Sequence, residues 1–181
     1  MPSINTLKSC WNGNPHGAGF MWKDDKGIVQ GLKGFMNWLD FKEAWEAQTF
    51  QEQDTIVVHF RIATTGAIRP ENCHPFPVTK KVTLLEQLDF STRMAIAHNG
   101  TFGSGDGDLS DTMLWIKNYF VHFKNEPEQV ERDLGHNRVV VLGKGMAQPL
   151  LLGAGWYQLE GCFYSNLNWC IYQKHRSFKT Y

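Results

Sequence analysis

The sequence lacks an excess of charge of either sign. Its 18 Lys and Arg residues are balanced by 18 Asp and Glu residues, so the formal net charge is zero at pH 7. Proteins that bind nucleic acid or an anionic membrane through their overall field carry a clear positive excess. We therefore expect neither partner. The one local excess of positive charge is a basic stretch near the end, which is typical of a solvated tail. Its residues are Lys174, His175, Arg176 and Lys179.

Long apolar runs and a cysteine framework are also missing. No apolar run approaches the ~20 residues that a membrane-spanning helix needs, and no signal peptide opens the chain. The four cysteines have neither the paired spacing of a metal site nor the density of a disulfide framework. These absences predict a reduced, cytoplasmic protein with free thiols.

The organisation of the chain is that of one domain. Its 181 residues contain no repeat, low-complexity tract or linker, so we expect residues 1–181 to form a single unit. Apolar periodicity predicts a helix capped by Ser3, and further helices at 37–47, 110–123 and 127–134. Strands are predicted at 18–22, 27–32, 55–62, 94–98, 138–142, 150–152 and 162–164. Because turns join most of the strands, we expect an antiparallel or mixed sheet packed on helices, in the α+β class.

An arginine stands where a buried strand should end. Apolar and β-branched residues dominate positions 55–60, and Arg61 follows them. A guanidinium can bind a carboxylate through two parallel hydrogen bonds, and strand ends present such groups to ligands. Arg61, with Thr64 shortly after it, is therefore a candidate anion-binding group. The alternative is a structural salt bridge to a nearby Asp or Glu.

Two further polar segments lie at the ends of predicted elements. The strand AIAHNG ends in Asn99 and Gly100, whose amide groups suit a developing oxyanion but also suit a tight turn. Asp111 opens the next helix in the segment LSDT, where a carboxylate complements the helix dipole or pairs with a ligand ammonium. Together, Arg61 and Asp111 would bracket the two charged ends of an α-amino acid.

These motifs carry a family resemblance. HFRIATTG, PENCHPF, AHNG and SDT, in this order and spacing, resemble the class II glutamine amidotransferase domain of the N-terminal-nucleophile hydrolases. GNPHGAGF and EGCFYSN resemble segments of its small stand-alone members, many of them from phages, so the resemblance covers most of residues 12–169. It implies an αββα four-layer sandwich, L-glutamine as ligand and no metal or organic cofactor. Ammonia would pass to a separate synthase or be released by simple glutaminase action.

The resemblance also implies a role for each candidate residue. Arg61 would bind the α-carboxylate of glutamine, and Asp111 would bind its α-ammonium. Asn99 and Gly100 would form the oxyanion hole. Two more residues would line the substrate pocket: Thr64 and His98.

The nucleophile of the family has no counterpart in this sequence. The family needs a cysteine at the mature N-terminus, whose thiol attacks the side-chain amide while its own amine acts as the base. The sequence instead begins Met-Pro-Ser, without the strand that would carry this cysteine. We favour a Met-Cys and one strand upstream of Met1; the alternative is a relative without a nucleophile, which binds an amino acid or a protein without turnover. Thr65 and His16 also depart from the family, which often has His and Asp there.

None of the four cysteines is expected to replace the nucleophile. Cys10 lies on the first helix and is expected in the core. Cys73 adjoins His74 on an extended segment, where neighbouring side chains point to opposite faces. Cys162 and Cys170 are flanked by aromatic residues, which indicates core positions.

A metal site is the remaining alternative. Zinc could use side chains of the right type, but no paired ligand spacing supports such a site. Its ligands would be His59, Cys73, His74 and His98.

Overall fold

The computed structural model describes residues 1–63 and 66–170, and the backbone of residues 179–180. The predicted pocket residue Thr64 therefore lies outside the described residues, as do Thr65 and residues 174–176 of the basic tail.

Short helices and strands make up the described chain. The helices are α1 (Ile4–Gly13), α2 (Trp38–Glu46), α3 (Val82–Leu85), α4 (Asp111–Trp115), α5 (Val121–Phe123) and α6 (Pro127–Asp133), with a 3₁₀ helix at Pro70–Asn72 and a π-helical segment at Ile116–Phe120. The strands are β1 (Ala18–Lys23), β2 (Val29–Phe35), β3 (Ile56–Phe60), β4 (Phe76–Pro77), β5 (Asp89–Thr92), β6 (Met94–Asn99), β7 (Arg138–Gly143), β8 (Leu150–Leu152), β9 (Tyr157–Leu159), β10 (Cys162–Tyr164) and β11 (Lys179–Thr180). Over the described residues, no helix combines the length and the apolar character that a membrane crossing requires.

Two four-stranded sheets organise these elements. Sheet 1 has the strand order β3-β1-β2-β5, and sheet 2 has the order β4-β6-β7-β8. A small third sheet joins β10, β9 and β11. The strand pairings within all three are antiparallel, which confirms the α+β prediction.

Polar side chains cap three of the helices, and the cap at Ser3 was predicted from the sequence. The Ser3 hydroxyl accepts a hydrogen bond from the Thr6 amide at 3.1 Å and begins α1. Asn37 begins α2 and Ser110 begins α4 in the same way. Each cap satisfies an amide that has no partner within its helix, which fixes where the helix starts.

Three apolar clusters hold the layers together. One lies between sheet 1 and the helices α1 and α2, and includes Phe20, Phe41 and Trp45. The other two lie on the two faces of sheet 2. Along β6, the small side chains Ala95 and Ala97 pack with residues of sheet 1, whereas Ile96 packs with helical residues. This alternation follows from the two-residue period of a strand.

Several short elements were not predicted: the 3₁₀ helix, β4, α3, β5, β9 and β11. Each has two to four residues, so the local sequence carries little periodic signal for it. The helix predicted at 110–123 is continuous but changes to π-helical geometry from Ile116 to Phe120.

A buried lysine ties sheet 1 to its neighbours. Lys33 on β2 is only 3% exposed. Its Nζ donates to the carbonyl oxygens of Glu71 at 2.8 Å and Leu85 at 2.7 Å, and lies 3.9 Å from the centre of the Phe76 ring. Burial lowers the pKa of Lys33 to about 7. The neutral amine still has two N–H groups for the two carbonyls.

We predict that Lys33 makes the free energy of unfolding rise with pH above about pH 7. The unfolded lysine keeps its proton up to about pH 10.5, whereas the folded one releases it near pH 7. Its contribution to the free energy of unfolding therefore rises between these values and is lost as the pH falls. Urea unfolding should give the wild type a steeper rise than Lys33→Met, by at most ~1.4 kcal/mol per pH unit. Lys80→Met, at an exposed lysine, should keep the wild-type slope, and parallel curves for wild type and Lys33→Met would contradict the assignment.

Candidate functional site

One cleft of about 760 Å³ collects residues from distant parts of the chain. All of β3 lines it, together with parts of α1, the turn after β6 and the start of α4. The five predicted site residues that the structure describes all lie in its wall: Arg61, His98, Asn99, Gly100 and Asp111.

Arg61 leaves β3 at the cleft and is 5% exposed. Its amide donates to the Gly17 carbonyl at 2.8 Å, and its guanidinium Nη1 donates to the Ala67 carbonyl at 3.1 Å. Burial lowers the pKa of Arg61, and the side chains of Cys73 and Asp111 oppose this shift. A guanidinium stays charged in proteins, so the cleft wall carries a fixed cation.

Asp111 is the first residue of α4 and anchors the turn that follows β6. Its Oδ2 accepts from the Phe102 amide at 2.7 Å, and its Oδ1 accepts from the Thr112 amide at 2.8 Å. The side chain therefore has the predicted position at a helix start. The bond to Phe102, which joins α4 to the turn, was not expected from the sequence.

Asn99 and Gly100 end β6 at the cleft. Asn99 pairs with Arg138 in the register of β6 with β7. Gly100 has a φ of +140°, and a Cβ added to it would lie 2.0 Å from Oδ1 of Asn137. Only glycine fits this backbone and this contact. The alternative of a two-residue hairpin turn is not observed, because β7, the next strand, begins 39 residues after Asn99 at Arg138.

His98 lies just before this pair and is 3% exposed. Its Nδ1 is 2.8 Å from Thr112 Oγ1, and its Nε2 is 2.9 Å from Asn137 Oδ1. An amide oxygen only accepts, so Nε2 carries the proton and Nδ1 accepts from the threonine hydroxyl. Burial lowers the pKa of His98, against the bond to Asn137 and the charge of Asp111. The ring is therefore neutral, and both of its nitrogens are used within the protein.

Three histidines stack beneath the cleft. The ring centres of His59 and His74 are 4.1 Å apart, and those of His74 and His98 are 6.1 Å apart. Burial lowers the pKa of His59 to about 3 and that of His74 well below its usual value. In the described parts of the chain, no three His, Cys, Asp or Glu side chains are placed to hold a metal ion. The three histidines considered as zinc ligands thus form a neutral stack, and the Cys73 thiol contacts Met36.

Two of the cysteines, Cys10 and Cys73, are poor nucleophiles in this setting. Burial raises the pKa of Cys10, which lines the cleft, to about 12. Burial also raises the pKa of Cys73, whose Sγ contacts Met36 while the neighbouring His74 stacks on His59. The prediction that Cys73 and His74 diverge is therefore confirmed.

The core positions expected for three cysteines are not observed. Cys10, Cys162 and Cys170 are only partly buried, and Cys10 and Cys162 line the cleft. The aromatic residues around the two later cysteines belong to this wall instead: Phe163, Tyr164 and Trp169.

We predict that Gly100→Ala is more destabilising than Gly103→Ala. Both glycines have positive φ, +140° and +117°, but only the new Cβ at position 100 would meet another atom. The backbone strain costs ~1–2 kcal/mol at either position, and the collision adds ~1–3 kcal/mol at position 100. Urea unfolding of both variants measures the difference. Equal losses would show that the contact between Gly100 and Asn137 is not tight.

Comparisons with known proteins do not identify a family for this chain. No protein-family model matches the chain, and no curated protein matches it. The motifs and the geometry of the cleft are therefore the basis for assigning a function.

Proposed function

We propose that this protein binds L-glutamine in the cleft, as a class II glutamine amidotransferase domain does. One observation carries the proposal: Arg61, Asp111 and the Asn99–Gly100 pair come from three separate segments and line the same cleft. A cation, an anion and a pair of amide donors match the chemical groups of glutamine one for one.

The two charged ends of glutamine would bind to Arg61 and Asp111. Arg61 would bind the α-carboxylate, and the remaining lone pairs of Asp111 would accept from the α-ammonium. A carboxylate has about four acceptor sites, of which the amides of Phe102 and Thr112 take two. Because both side chains are at least nine-tenths buried, a zwitterion between them forms charge-assisted bonds with little competition from water.

The side-chain amide of glutamine would lie against Asn99 and Gly100. The Asn99 side-chain amide and the Gly100 backbone amide would donate to the carbonyl oxygen. Donors aimed at this oxygen stabilise the negative charge that develops there when a nucleophile adds. The same pair would favour glutamine over an amino acid without a side-chain carbonyl.

The layering of the chain supports the same family. Apolar clusters lie between helices and sheet 1, between the two sheets, and between sheet 2 and helices. This order is the one expected for the N-terminal-nucleophile αββα sandwich, which we propose as the architecture.

Hydrolysis would require a cysteine nucleophile beside the clamp that Arg61 and Asp111 form. Its thiol would attack the amide carbon, ammonia would leave after taking a proton, and water would then release glutamate from the thioester. The ammonia would go to a separate synthase or to solution. The raised pKa values of Cys10 and Cys73 make these two thiols weak nucleophiles. They therefore favour the alternative function for this sequence, which is binding of glutamine without turnover.

We predict that Arg61→Ala lowers the affinity for L-glutamine about 10- to 100-fold, since a hydrogen bond to a charged group contributes ~1.5–3 kcal/mol. Isothermal titration calorimetry measures the change, with the exposed Arg132→Ala as a matched control that should bind normally. The variant should no longer distinguish glutamine from 4-aminobutanamide, which lacks the α-carboxylate. Unchanged affinity with a large loss of thermal stability would instead identify Arg61 as part of a structural salt bridge.

Asp111→Asn should mirror this result at the other end of the ligand. The variant should lose affinity for glutamine and no longer distinguish it from 5-amino-5-oxopentanoate, which lacks the α-ammonium. The exposed Asp89→Asn is the control. Retained discrimination between these two ligands would exclude contact between Asp111 and the ammonium.

We also predict that the chain as printed releases no ammonia from glutamine. Protonated thiols are weak nucleophiles, and Cys10 stays protonated at neutral pH because its pKa is about 12. An ammonia assay coupled to glutamate dehydrogenase tests this prediction. Ammonia release that disappears in Cys10→Ser would make Cys10 the nucleophile and overturn it.

A further inference from the structure

We infer that Asn137 is a positioning residue that fixes the Asn99–Gly100 donor pair and so sets the affinity for the side-chain carbonyl of the ligand. This inference rests on the proposed function. The Asn137 side chain is not part of the cleft wall, so it acts through the turn and not through contact with the ligand.

The Asn137 side chain holds the turn on both sides of the donor pair. Its Oδ1 accepts from the Thr101 amide at 2.7 Å, just after Gly100. The same oxygen accepts from His98 Nε2 at 2.9 Å, just before Asn99. With both flanks attached to one atom, the peptide groups between them have little freedom to rotate.

Gly100 is packed directly onto the same oxygen. A Cβ at this position would lie 2.0 Å from Asn137 Oδ1, so a residue with a side chain could not pass this oxygen without displacing it. The positive φ of Gly100 and its contact with Asn137 therefore belong to one arrangement. Removing the oxygen leaves a gap under the turn and leaves the Thr101 amide without this partner.

Asn137 is itself firmly held. Its Nδ2 donates to the Leu134 carbonyl at 2.8 Å, and its own amide donates to the same carbonyl at 3.1 Å. Leu134 is only 1% exposed and belongs to the core beside sheet 2. Asn137 also directly precedes β7, whose first residue, Arg138, pairs with Asn99. The turn is thus attached to the core through the corner between α6 and β7.

His98 connects Asn137 to the start of α4. Its Nδ1 accepts a hydrogen bond from the Thr112 hydroxyl, and its Nε2 donates one to Asn137 Oδ1. Thr112 follows Asp111, the proposed ammonium ligand. The chain of bonds from Thr112 through His98 to Asn137 therefore relates the position of the donor pair to that of the clamp.

The test compares two ligands that share their charged ends. L-Glutamine has the side-chain amide, and L-norvaline has a methyl group in its place. Asn137→Leu should lower the affinity for glutamine about five- to tenfold, as expected for weakening one ordinary hydrogen bond, and leave that for norvaline unchanged. Asn137→Asp keeps the acceptor oxygen for Thr101 and His98 but loses the donor to the Leu134 carbonyl, so it should restore part of the preference. Asn137→Ala removes the same bonds without added bulk and replaces Asn137→Leu if the latter does not fold.

A second measurement reads the turn without any ligand. Amide hydrogen exchange followed by NMR should show faster exchange at Thr101 in Asn137→Leu, by about tenfold or more relative to amides in β1. Equal losses of affinity for glutamine and norvaline, or unchanged exchange at Thr101, would overturn the positioning role. A wild-type protein that binds neither amino acid would overturn the proposed function itself, and the ligand role of Asn137 with it.

Discussion

Two buried charges of opposite sign constrain the cleft. Arg61 is 5% exposed and Asp111 is 9% exposed, and a charge removed from water is costly unless other groups satisfy it. Each is therefore held by backbone groups: Arg61 by the Ala67 carbonyl, and Asp111 by the amides of Phe102 and Thr112. These bonds fix the loop after β3 and the turn after β6 around one hollow. The position of the charges thus determines the local course of the chain.

The histidines and two of the cysteines near the two charges are neutral. Burial lowers the pKa values of His59, His74 and His98 and raises those of Cys10 and Cys73. Neutral groups do not compete for the charges of Arg61 and Asp111. Other charged residues also line the cleft: Glu52, Asp54 and Arg138. The stacked histidines then act as a packed floor, where residue type alone had suggested a metal site.

Part of the fold and most of the candidate site could be predicted from the sequence. The helices with periodic apolar faces, such as α1 and α2, were predictable, and so were the strands β1 and β2. Arg61, Asn99, Gly100 and Asp111 could be found because each stands at the end of an element, where a charged or donor group interrupts an apolar pattern. The zinc hypothesis shows the limit of residue types, because only the positions of side chains reveal that histidines stack.

Asn137 and Lys33 could not be found in this way because their roles depend on distant contacts. Nothing in the local pattern marks an asparagine whose oxygen meets the turn after β6, or a lysine whose amine meets carbonyls 38 and 52 residues away. Both residues fix the backbone from outside the cleft. If the donor pair is aimed by Asn137, then ligand preference in this protein depends on the corner between α6 and β7 as well as on the residues that touch the ligand. Changes at that corner would then alter the recognition of the side-chain amide while Arg61 and Asp111 continued to bind the charged ends.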